Sequence, residues 1–88
     1  MTKDEALRDV RGLAAAGRVR FTRHARTRAA ERAGGSTVGE LHVIHALKQA
    51  ATCTANDDKW RVTGPDLDGD ELTAVVVLEA GVIVVTVF

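Results

Sequence analysis

Between residues 3 and 16, apolar side chains recur at Ala6, Leu7, Val10, Leu13 and Ala14, the spacing of one helix face. Thr2 and Glu5 stand at capping-box spacing, Asp4 and Glu5 suit the first turn, and Gly17 supplies a stop. The pattern therefore predicts a helix over 3–16. Polar and apolar positions then alternate from Arg18 to Thr22, as in a short half-buried strand. Thr22 is a good N-cap for a second helix, which Gly34 and Gly35 end. Along that helix His24, Arg28 and Arg32 follow at i, i+4 and i+8 and line one side. Ala25, Ala29, Ala30 and Ala33 fall roughly opposite, small enough for close packing. Ser36 or Thr37 can cap a third helix over about 38–50, with Leu41, Ile44, Ala46, Leu47 and Ala50 as its apolar face.

Beyond Ala50 the period changes from helix to strand. Residues 52–55 and 60–63 read as strands joined by the turn-rich Asn56-Asp-Asp-Lys59. Residues 64–70 read as a loop. Residues 72–78 and 82–88 are nearly continuous β-branched or large apolar runs, and the intervening Glu79-Ala-Gly81 fits a hairpin with Gly81 in the left-handed position. Apolar residues on both faces predict that these two strands pair antiparallel near the middle of a sheet.

Eighty-eight residues make one domain with a single modest core. Its aromatics are only Phe21, Trp60 and Phe88, so Val, Leu, Ile and Ala must fill the core. The lone Cys53 excludes an internal disulfide and fits a reducing cytoplasm. No early apolar run resembles a signal sequence, and the longest apolar stretch is far too short to span a membrane.

Net charge is zero but unevenly placed. Residues 1–33 carry nine Lys/Arg against four Asp/Glu, and residues 34–88 three against eight. Such a basic patch can attract phosphate on a neutral protein. The two halves can equally attract each other.

His24 is the best candidate for chemistry, because it sits in the first turn of a helix, where anions such as phosphate are favoured, with arginines beside it. His42 and His45 lie three apart on the third helix, but no further histidine and carboxylate set completes a ligand pattern, so they read as surface histidines. The acidic residues of 64–70 approach calcium-loop spacing, but Gly69 is misplaced and Val77 stands where the bidentate glutamate belongs, so the segment reads as a turn. Thr86 interrupts the last apolar run; a buried threonine there ordinarily bonds a carbonyl.

Phe21-Thr-Arg-His-Ala-x-x-Arg-x-x-x-Arg32, a glycine turn, a helix, Trp60-Arg-Val-Thr-Gly and the closing Val84-Val-Thr-Val-Phe88 together resemble the domain-of-unknown-function family 4258. That family is similar to the RelE/ParE and MqsR/BrnT toxin-like small domains. The match covers roughly 19–88 and leaves 1–17 as an added N-terminal helix before a core over 18–88. The resemblance implies an α+β fold with helices packed on a small, twisted, mainly antiparallel sheet. It implies a toxin-type ribonuclease needing neither metal nor cofactor, with RNA as substrate and a small antitoxin-like protein as partner. In such a site His24 would move the proton, Arg28 would stabilise the phosphorane, Thr22 would cap and bind phosphate, and Thr86 and Arg61 would contact substrate from the sheet. Arg32 belongs to the same motif, and Lys59 and Trp60 would add a phosphate contact and a base-stacking surface. The alternative is a catalytically silent module on the same fold that binds protein or nucleic acid.

Overall fold

Thr2 opens the first helix with the capping box its spacing predicts: its hydroxyl accepts from the Glu5 N–H, and the Glu5 carboxylate accepts from the Thr2 N–H. The computed structural model describes residues 1–35 and 38–88, so the proposed caps Ser36 and Thr37 lie outside the described residues. Its elements are α1 (Lys3–Ala15), β1 (Val19–Phe21), α2 (Arg23–Arg32), α3 (Gly39–Lys48), β2 (Thr52–Asn56), β3 (Lys59–Pro65), β4 (Glu71–Leu78) and β5 (Val82–Val87).

The strands form one sheet in the order β1-β5-β4-β3-β2. Among the described residues only β1 and β5 run parallel; the other three pairings are antiparallel. The two apolar runs thus pair with each other, with β4 at the centre and β5 beside it. The fold is α+β, with three helices and a five-stranded, mostly antiparallel sheet among the described residues. No helix of the described residues is long and apolar enough to cross a membrane.

Alternation along the strands separates two faces. Cys53, Val62, Leu72, Ala74, Val76, Val82, Val84 and Val87 turn toward the helices and are buried. α1 adds Ala6, Val10 and Ala14 to that core, α2 adds Ala25 and Ala29, and α3 adds Val43, Ala46 and Leu47. The first helix therefore shares the one core with everything that follows it. Burial of Cys53 pushes its thiol up, which keeps it protonated and unreactive.

Close approach explains two glycines. A Cβ at Gly39 would collide with the Ala29 carbonyl of α2, and one at Gly64 with the Ala46 carbonyl of α3. α3 is thereby seated tightly against both α2 and the sheet.

Several expectations are corrected. Leu41 is 55% exposed, and α3 buries Val43 in its place, because the helix turns the Gly39 side toward α2. Gly64 and Pro65 belong to β3 rather than to the following loop. In the β4–β5 turn Ala80 takes the left-handed conformation at φ 55°, and Gly81 follows at φ 155°. His42 and His45 are half-buried and engaged rather than free on the surface. The Leu67 N–H donates to His42 Nδ1 at 3.2 Å, and His45 Nδ1–H donates to the Pro65 carbonyl at 3.0 Å. These partners hold the two rings in opposite tautomers and pin the segment after β3.

Candidate functional site at the edge of β5

β1 pairs with β5 only from Val82 to Val84, which leaves the far half of that strand without a neighbouring strand on the side away from β4. Helix α2 runs along this edge and supplies donors in place of a strand. The Thr22 N–H donates to the Val84 carbonyl, and the Thr22 hydroxyl donates to Val85 O at 3.1 Å while accepting from the Ala25 N–H as N-cap. Arg28 Nε donates to Val87 O at 3.5 Å, and Arg32 Nε to Phe88 O at 3.1 Å. A register irregularity at Val75/Val76 leaves Val85 without a partner on β4. The capped edge resists pairing with a foreign strand, the usual hazard of an open sheet edge.

Within this arrangement His24 meets Thr86. Its Nε2 lies 3.1 Å from Thr86 Oγ1, a hydrogen bond whose direction follows the imidazole tautomer. The polar break in the apolar run thus serves a histidine, where a carbonyl partner was the expectation. His24 is exposed, so its ring is open to a ligand from solvent. Arg28, one turn on, lines a shallow depression with Glu31, Arg32, Val87 and Phe88. Its Nη groups make no hydrogen bond or ion pair among the described residues.

Thr22, His24, Arg28 and Thr86 therefore lie along one edge, the first three each bonded to the chain at β5. Arg32 is near them but fully engaged. Besides Phe88 O, it donates to Asp66 Oδ2 at 2.8 Å and to the Glu71 carbonyl at 2.9 Å. The β3 residues are divided by alternation. Arg61 lies on the sheet face away from the helices, opposite Val75, which stands opposite Thr86. Trp60 turns the other way and packs against the core, so it stands on the face opposite Arg61. Lys59 is paired with its neighbour Asp58 at 2.9 Å, and that bond holds the Asp58 carboxyl below its usual range.

Two residues that organise this edge are not among those the sequence singles out. Asp66 is 3% exposed, and its Oδ1 accepts from both the Asp68 and Asp70 N–H groups. The Arg32 hydrogen bond, aided by these backbone donors, holds its carboxyl below the usual range. An aspartate two residues before another polar turn residue is an Asx-turn signal, but nothing in the spacing names Arg32 as partner. The second is Phe88, 52% exposed, with the Arg61 guanidinium 5.0 Å from its ring centroid.

His42, Asp66 and Asp68 could offer a metal three donors within 4.8 Å of one another. The His42 Nδ1 and both Asp66 oxygens already accept hydrogen bonds, and the Arg32 cation lies against Asp66. The arrangement is that of a hydrogen-bonded hub fastening the 66–70 loop.

No protein-family model and no curated protein matches this chain.

Proposed function

We propose that this chain is a toxin-type, metal-independent ribonuclease on a RelE-like fold, as its likeness to the domain-of-unknown-function family 4258 implies. The observation that carries the reading is the exposed His24 ring oriented by Thr86, with the Nη groups of Arg28 one helical turn away. In the reaction, His24 takes the proton from an RNA 2′-hydroxyl and the 2′-oxygen bonds to the adjacent phosphorus. The bond from phosphorus to the 5′-oxygen breaks, and that oxygen takes a proton from solvent. The products are a 2′,3′-cyclic phosphate and a free 5′-hydroxyl. Arg28 and the first turn of α2 stabilise the charge that gathers on the phosphorane. A small antitoxin-like protein would restrain the enzyme in a reducing cytoplasm.

The test is incubation of the purified chain with RNA in the presence of a chelator, followed by analysis of the cut ends. Cyclic phosphate ends that vanish with His24→Ala support the reading, and intact RNA with the wild type overturns it. A catalytically silent module that binds nucleic acid or protein is the second reading. It is favoured by Arg32, whose Nε, Nη1 and Nη2 all serve internal partners and so leave one cation fewer for a transition state. It expects a partner bound and nothing cut.

A further inference from the structure

The register of the sheet lays out its uncovered face row by row. Arg20 stands opposite Ile83 and Ile83 opposite Val77. Thr86 stands opposite Val75, and Val75 opposite Arg61. In the next row the Phe88 N–H donates to the Thr73 carbonyl, and Thr73 stands opposite Thr63. These rows hold two arginines among valine, isoleucine, threonine and phenylalanine, and the next row on the same face brings Glu71 opposite Pro65.

The Phe88 ring is more than half exposed while its backbone is held on both sides, by the Thr73 carbonyl and by Arg32. Arg61 reaches across β4 to place its guanidinium 5.0 Å from that ring's centroid, and Val75, opposite Arg61 on β4, is 5% exposed. A half-exposed aromatic ring with a guanidinium beside it offers a π-surface on which a planar group can stack. Trp60 cannot supply that surface, because it packs on the helix side of the sheet. Thr86 lies two residues before Phe88 on the same face, roughly 7 Å along the strand, and Thr86 carries His24. A planar π-face, a guanidinium and a histidine in sequence match a nucleobase and its adjoining phosphate.

We propose that Phe88 and Arg61 form a stacking subsite for one base of a single-stranded RNA, next to the phosphate presented to His24. The proposal rests on the ribonuclease reading and names its substrate as unpaired rather than duplex RNA. Binding is read by fluorescence anisotropy of the full chain with three labelled strands. These are a short 2′-O-methyl single strand, which cannot be cut, its duplex, and an abasic sugar-phosphate strand of equal length. Phe88→Leu should weaken the single strand roughly five- to a hundredfold, the loss of one base–aromatic stack, and leave the abasic strand and the melting temperature unchanged. Phe88→Tyr should restore binding, and Arg61→Gln should weaken it.

Single-strand affinity that Phe88→Leu leaves as in the wild type, or an equal loss on the abasic strand, overturns the subsite. If stacking behaves as stated while natural RNA stays uncut, the ribonuclease reading fails and the subsite stands. If the wild type binds none of the strands, both fall.

Discussion

The carboxylate of Asp66 and the guanidinium of Arg32 meet at 2.8 Å, joining the last turn of α2 to the loop that follows β3. The same guanidinium reaches Phe88 O and Glu71 O, so one side chain fastens a helix to the ends of two strands and to the loop. Breaking a nearly buried pair from one side leaves the other partner uncompensated. Arg32→Ala and Asp66→Asn should each lower the melting temperature by several degrees, and the double variant should lose clearly less than their sum. Additive losses would show that the two residues act separately.

The pair also fixes a pH dependence. The folded-state value of Asp66 is held below its ordinary one by Arg32, so its contribution is fully present above the unfolded range, about pH 4, and fades as pH falls through the depressed value. Glu5, held low by Thr2, adds an acid limb of the same sign. In acid titrations of stability Asp66→Asn should flatten the decline below about pH 4 while leaving the Glu5 component in place. An unchanged acid limb would refute the assignment.

His24 should be separable from the fold. It is exposed and its one side-chain bond among the described residues is to Thr86, so His24→Ala should cost under about 1 kcal/mol and, on the proposed ribonuclease reading, should abolish RNA cleavage. A large fall in stability in urea titration would instead make it a structural residue.

Thr22 carries two bonds at once, as N-cap of α2 and as donor to the Val85 carbonyl. Thr22→Ala should cost about 1–2 kcal/mol, and Thr22→Ser, which keeps the hydroxyl, should recover most of it. Equal losses for the two variants would mean that the methyl group, not the hydroxyl, matters.

Val84 and Ile83 are neighbours on β5 that face opposite sides. Val84 is fully buried against the helices, whereas Ile83 is half-buried on the uncovered face. Val84→Ala should cost on the order of 2 kcal/mol by lost burial and a cavity, and Ile83→Ala clearly less despite removing more atoms. Denaturant midpoints in the reverse order would place the core on the wrong side of the sheet.

The sequence by itself determined the elements, because these follow from local period and local chemistry. The Thr2–Glu5 capping box, the Thr22 cap and the helical period give α1 and α2, and the two apolar runs give the central hairpin. It also marked Thr22 as a cap and put His24 and Arg28 one turn apart on one helix side, whereas the meeting of His24 with Thr86, 62 positions away, was decided by packing. Tertiary structure alone decided what depends on faces and on partners distant in sequence. Which side of α3 is buried followed from the close contact of Gly39 with α2, which no amphipathic count reveals. Asp66 became the partner of Arg32 across 34 positions of chain, and the two histidines of α3 found backbone groups of the segment after β3. Strand alternation sent Trp60 to the core and Arg61 to the open face, where the cation met Phe88. Period fixes what an element is; only packing fixes which way it faces and what it meets.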